Sequence, residues 1–287
     1  MYKGETGRAK GFTEVDDHLL YAALDAGSRI PGAVVGVHCE NTEVIPFFRN
    51  PVKEAGRTDL KAWDDQSPGF LETENVFRVC YFGEKAGCPV NIVHMSAGES
   101  LDLVRRMRRP DRAPINVETC IHYLTLPHDA PIGPLGKVNP PLRTEEDVEA
   151  VREGLRDGTI DCIATDHAPH SPIEKDCEFD AASFGILGLE PALPTLMELV
   201  RSGALSETRL VEALTASPAK VGRLEGGSLG EGDVADVAVV DPSLEWTLAP
   251  ETLRSKSHNT PWLGQQMTGA VTHTFVGGEL VYERPSE

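Results

Sequence analysis

The amino-acid sequence predicts an α/β fold with a small β unit behind it, and three apolar runs with the same ending predict the α/β part. Ala33-Val-Val-Gly-Val stops at His38, Val90-Asn-Ile-Val stops at His94, and Cys162-Ile-Ala-Thr stops at Asp166. Each run has the length of a buried strand, and each follows a stretch with helical character. Helix, strand and polar ligand, three times over, is the order of parallel strands with helical crossovers. The carboxyl ends of such strands share one face, where the active sites of barrels of this kind sit. Two imidazoles and a carboxylate meeting on that face form a metal site able to activate water.

Taken in order, residues 1–12 are polar and glycine-rich and read as a loop. Asp16 or Asp17 caps a helix that runs to about Gly27. After the strand to His38, the polar, proline-bearing residues 42–70 read as a long loop. Glu72 to Ala86 has helical periodicity, and a second helix lies near Glu99 to Arg109. Ile115 to Cys120 is a strand. Residues 125–143 form a proline- and glycine-rich loop too long for a plain connector, and so a functional candidate. Thr144 with Asp147 opens a helix to Arg156. A second long loop, 167–189, follows the strand to Asp166. Pro194 to Ser202, Glu207 to Thr215 and a segment starting at Ser217 are helical. From Gly226 the character changes. Val234 to Val240 alternates as strands do, and Val271 to Val276, Gly277-Gly278 and Leu280 to Tyr282 read as a β-hairpin.

Composition narrows the functions. The 287 residues carry 45 acidic against 27 basic groups, a net charge of −18, which argues against nucleic acid and anionic membrane as partners. An acidic surface suited to a salt-rich cytoplasm is one reading of that charge. No run approaches the roughly 18–20 apolar residues of a membrane span, and no secretory leader opens the chain. The six cysteines form no Cys-x-x-Cys pair and read as buried free thiols, so the expected location is the cytoplasm. A homo-oligomer is compatible with all of this.

Asp166 also suits a general base, since a carboxylate beside an activated water takes its proton and returns it to a leaving nitrogen. His170, four residues on in a proline-punctuated loop, is placed to reach an anionic substrate. Lys137-Val-Asn-Pro-Pro-Leu-Arg143 is stiffened by two prolines and suits the presentation of Asn139 to a ligand. Gly185 and Gly188 read as turns. His18, His122, His128, His258 and His273 have no partner pattern and read as structural or exposed.

Several strings, in order, carry a resemblance: Val37-His-Cys-Glu-Asn41, Ile92-Val-His-Met-Ser96, Val117-Glu-Thr-Cys120, Lys137 to Arg143, Ala164 to His170, Phe184 to Glu190, and Ser255-Lys-Ser-His-Asn-Thr-Pro261. Together the chain resembles the cyclic amidohydrolases of the amidohydrolase superfamily, which include dihydroorotases, hydantoinases, dihydropyrimidinases and allantoinases. The resemblance implies a TIM-like (β/α) barrel with a β-sandwich appendage and a zinc centre of one or two ions. It makes His38 and His94 ligands of the second metal, Asp166 the metal-bound catalytic carboxylate, and Asn139, His170 and Gly185 substrate contacts.

The strings at Ala164, Phe184 and Ser255 resemble dihydroorotases most, whereas those at Val37 and Val117 lean toward allantoinases and hydantoinases. The leading expectation is therefore zinc-dependent hydrolysis or closure of a small cyclic amide, dihydroorotate, in pyrimidine biosynthesis. The alternatives are a hydantoinase, dihydropyrimidinase or allantoinase, and a truncated non-catalytic homologue that acts as a binding partner. One departure stands out: the sequence has no His-x-His pair, where the family has the ligands of the first metal. Lys3 lies near the place of the family's bridging lysine and reads as following it. The chain thus reads as starting inside the barrel, with residues 1–225 an N-terminally incomplete barrel and 226–287 the C-terminal part of the β-sandwich.

Overall fold

A computed structural model describes residues 15–285. Lys3 and the loop expected over residues 1–12 lie outside the described residues. Four short parallel strands build the main sheet in chain order: β1 (Val35–Val37), β2 (Val90–Ile92), β3 (Ile115–Cys120) and β4 (Cys162–Ala164). Val35 pairs with Val90, Val90 with Ile115, and Glu118 with Cys162, so the strands advance in step. A closed barrel of this kind needs eight strands. The described strands form an open arc, with β1 and β4 at its edges.

The crossovers are helical: α1 (Asp17–Ser28) precedes β1, α4 (Gly69–Ala86) precedes β2, α5 (Gly98–Met107) precedes β3 and α7 (Glu145–Arg156) precedes β4. Their starts follow the capping chemistry in the sequence. The Asp16 carboxylate accepts from Leu19 N, and Thr144 Oγ1 accepts from Asp147 N. The apolar side of each helix packs on the sheet. Leu24, Val76, Val79, Leu101, Val104, Val151 and Leu155 are buried with Ile92 and Val117 in one core.

Residues 42–70 are not a loop. They hold two helices, α2 (Ile45–Glu54) and α3 (Leu60–Gln66). Pro46 sits in the first turn of α2, where its missing N–H costs nothing, and Asp59 caps α3 by accepting from Ala62 N at 2.6 Å. The prolines hide the first helix, since Pro51 falls inside α2, where proline argues against a helix, and α3 has only seven residues, too few for a period to show. Likewise, a short helix α6 (Ile121–Thr125) follows β3 directly, and α8 (Pro172–Lys175) interrupts the loop after β4. The helix expected from Pro194 starts earlier: α9 spans Leu189–Arg201 with the proline inside it. Helices α10 (Glu207–Leu214) and α11 (Ala216–Gly222) complete the helical part.

The tail is an antiparallel meander, β5 (Val237–Thr247), β6 (Gln266–Val276) and β7 (Glu279–Glu283). The β6–β7 turn uses Gly277 and Gly278 at φ 58° and 84°, a left-handed pair that only glycine adopts freely. The meander packs on α9: Arg201 donates to Thr268 O, and Trp246, Met267 and Ala270 join the main core. No helix of the described residues is long and apolar enough to cross a membrane.

One buried residue carries a pH prediction. His122 in α6 is fully buried, and neither ring nitrogen has a hydrogen-bond partner. Burial pushes its pKa down to about 3. The unfolded chain takes up this proton near pH 6.5 while the folded chain refuses it. The contribution of His122 is thus complete above about pH 6.5 and is lost as pH falls from there toward 3. Between pH 7 and pH 5, His122→Leu is expected to remove roughly 2 kcal/mol of the pH-dependent loss seen in the parent protein. Urea unfolding of both proteins at the two pH values measures this. Equal losses in parent and variant exclude it.

Candidate active site

The strand ends bring three of the expected site residues together. His38 follows β1 directly, and His94 and Asp166 stand two residues beyond β2 and β4. All three line one cavity of about 390 Å³, with Gly36, Val93, Glu118, Cys120 and Ala164. The backbones of His94 and Asp166 are left-handed, at φ 42° and 44°. Such conformations cost a non-glycine residue on the order of 1–3 kcal/mol and cluster at functional sites. Here two of the three candidate ligands adopt them, each two residues past the end of its strand.

His38 and His94 form a tight pair. His38 Nδ1 lies 3.0 Å from His94 Nε2, and His38 Nε2 lies 2.8 Å from Glu40 Oε2. Burial alone would raise the Glu40 carboxyl. Hydrogen bonds from His38 and Ser67 and the charge of Arg143 bring it below its usual value, so it is a carboxylate acceptor. His38 therefore donates from Nε2 to Glu40, and its other ring nitrogen, Nδ1, faces His94. Burial, and then the neighbouring His38, push His94 down to about 3, so its ring is neutral. Its Nδ1 is buried with no hydrogen-bond partner.

This donor set fits a metal ion. Two nitrogens each about 2.0–2.1 Å from one ion, at a near-tetrahedral angle, stand roughly 3.3 Å apart. The His38–His94 separation of 3.0 Å is close to that. A carboxylate on the far nitrogen of a ligating histidine, the place of Glu40, fixes its tautomer and raises its basicity. Among the described residues, no group of three or more His, Cys, Asp or Glu side chains is gathered closely enough to hold an ion. Two imidazoles are in contact, and Asp166 lines the same cavity, exposed.

Asn139, His170 and Gly185 do not line this cavity. They sit in the loops 125–143 and 167–189, which hydrogen-bond to each other through Gly185 N and Lys137 O. Asn139 is half-buried and begins the cis Asn139–Pro140 peptide. His170 Nε2 donates to Phe184 O at 2.7 Å, and its backbone N–H to Asn259 Oδ1 at 3.0 Å. Gly185 has φ 129°, and a Cβ there would come 2.4 Å from Ala168 Cβ, so only glycine allows the two ends of the 167–189 loop to touch. Asn259 Nδ2 joins them, donating to Ala168 O and Gly185 O.

The amidohydrolase family pattern matches residues 91–281. The chain belongs to the amidohydrolase family. It is 48% identical over 271 residues to a dihydroorotase from Anaeromyxobacter dehalogenans (strain 2CP-C), covering 92% of this chain and 61% of that protein. It is 39% identical over 269 residues to a dihydroorotase from Trichlorobacter lovleyi, with 93% and 62% covered. Among solved structures it superposes on the L-hydantoinase of Arthrobacter aurescens with a TM-score of 0.90 at 30% identity, covering 96% of this chain and 62% of that one. The chain thus spans about three fifths of the length of these relatives.

In this amidohydrolase the histidine pair rests on a buried polar network whose roles were not read from the sequence. Ser67 Oγ donates to Glu40 Oε1 at 2.7 Å, and Ser67 O accepts from Arg143. Arg143 also donates to Asp64 Oδ1 at 2.7 Å, to Ser96 Oγ at 3.1 Å and to Glu72 Oε2 at 3.3 Å. Glu72 accepts in turn from Ser96 N and Ala97 N, just beyond His94. The network runs from His38 through Glu40, Ser67, Arg143 and Glu72 to the backbone after His94. Glu118 was also missed. It lines the cavity, burial and then Asp166 raise its carboxyl, and Asn91 Nδ2 donates to it at 3.0 Å. The alternation Asn116, Glu118, Cys120 was the available signal, since these residues share one face of β3.

Proposed function

We propose that the chain carries part of a zinc-dependent cyclic amidohydrolase site, with dihydroorotate and carbamoyl aspartate as its substrate pair. The observation that carries this reading is the His38–His94 pair lining one cavity with Asp166 at the strand ends. His38 through Nδ1 and His94 through Nε2 would hold the ion, with Glu40 orienting His38. When bound, such an ion polarises a carbonyl oxygen and makes water a better nucleophile. Asp166 then does the proton work. Its carboxylate takes the proton of the attacking water and delivers it to the ring nitrogen as the C–N bond breaks. Glu118 adds negative charge to the wall and favours a cation between them. The cysteines, all free, suit a reducing cytoplasm.

The choice of dihydroorotate rests on the 48% identity to a dihydroorotase. The fit to the L-hydantoinase, with a TM-score of 0.90, favours a second reading in which the ring is uncharged. The two separate on the substrate's carboxylate. His170 would reach it by turning its Nε2–H from Phe184 O to the carboxylate, and such a charge-assisted hydrogen bond contributes on the order of 1.5–3 kcal/mol. His170→Ala is therefore expected to lower kcat/KM for dihydroorotate by roughly ten- to a hundredfold and to leave hydantoin and dihydrouracil nearly unaffected. Steady-state kinetics on the three rings decide it. Equal losses on all three, or turnover of hydantoin or dihydrouracil but not of dihydroorotate by the parent protein, refute the dihydroorotate reading.

A further inference from the structure

Two lysines are buried beneath the loops that hold Asn139, His170 and Gly185. Lys137 and Lys175 are 2% and 3% exposed, and among the described residues neither forms an ion pair. Removing an ammonium from water costs several kcal/mol even after the surroundings relax. Methionine would fill the same space at lower cost, so filling space is not what these groups are for. What they hold is backbone. Lys137 Nζ donates to Phe179 O at 2.7 Å and Asp180 O at 3.0 Å. It also lies 4.9 Å from the ring centroid of Trp63 and 5.2 Å from those of Phe179 and Phe184. Lys175 Nζ donates to Ser183 O at 2.8 Å and to Lys137 O at 3.0 Å.

We infer that Lys137 and Lys175 are positioning residues that tie the loop after β4 to the Lys137–Arg143 segment and so set Asn139, His170 and Gly185 relative to one another. The inference rests on the reading of those three residues as substrate contacts. Its geometry is continuous. Lys137 O, two residues before Asn139, accepts from both Lys175 Nζ and Gly185 N, the latter at 2.9 Å. Ser183, held by Lys175, is followed by Phe184, whose carbonyl accepts from the His170 ring. One ammonium therefore bridges the two segments, and the other anchors the far side of the same loop through Phe179 and Asp180. Burial and then the charge of Lys137 push Lys175 down to about 7. A neutral amine still has two N–H donors, the number the two carbonyls need, so the tie survives loss of the charge.

Amide hydrogen exchange on the full chain tests this without any turnover. Lys175→Met is expected to speed exchange at Ser183 and Gly185, whose amides bond to Glu174 O and Lys137 O, at least tenfold while amides of β2 and β3 keep their rates. Lys137→Met is expected to give the same local pattern and decides the matter if the first variant does not fold. Unchanged exchange at Gly185, or acceleration spread evenly over β2 and β3, overturns the inference. In turnover of dihydroorotate, both variants are expected to raise KM about tenfold and to change kcat less than threefold. A loss confined to kcat overturns it as well. Turnover of hydantoin or dihydrouracil but not of dihydroorotate by the parent sinks the substrate reading alone, since the exchange pattern still decides whether the lysines set the loop.

Discussion

Asp166→Asn is expected to lower kcat for cyclic-amide hydrolysis by about a hundred- to ten-thousandfold, the range that a positioned general base contributes. Asparagine keeps the size and shape of the side chain and can still hydrogen-bond, but it cannot take a proton from water at neutral pH. Asp166 is exposed and lines the cavity, and its backbone is held at φ 44°. Asparagine tolerates left-handed backbone as well as aspartate does, so the fold should not suffer. The expected result is a fall in kcat with a melting temperature close to that of the parent. Turnover within tenfold of the parent, at equal metal content, would falsify the role given to Asp166.

The second large effect concerns stability. Arg143 is 2% exposed, and its charge is held by Glu72, Asp64 and Glu40 against the cost of burial. Arg143→Met leaves Glu72, which is 1% exposed, without its cation. Breaking a buried pair from one side costs roughly 3–5 kcal/mol, because the remaining charge stays desolvated. Glu72 keeps its bonds from Ser96 and Ala97, which places the expected loss toward the lower end. Adding Glu72→Gln to Arg143→Met should recover part of it, since the orphaned charge is then gone. Urea unfolding of parent, single and double variants measures all three. A loss below about 1 kcal/mol in the single variant, or a further loss in the double, rules out the network as a stabilising unit.

Chain-local physics made the parallel arc and the tail hairpin legible. Buried strands print as short apolar runs, helix starts as capping residues such as Asp16 and Thr144, and a tight hairpin as Gly277-Gly278. His38, His94 and Asp166 were readable for the same reason: each ends such a run, and parallel strands carry their ends to one face. Helices α2 and α3 were not, because a proline inside α2 argues locally against a helix and α3 spans only about two turns. The tertiary structure alone decided the rest. Glu40, Ser67, Glu72 and Arg143 lie up to 103 positions apart, yet they form one network behind the histidines. It also placed His170 against Phe184 O and buried Lys137 and Lys175 under the same loops. Local sequence sets which backbone a segment prefers. Which polar groups satisfy one another is set by closing the chain on itself, when each buried donor must find an acceptor wherever the fold has put one.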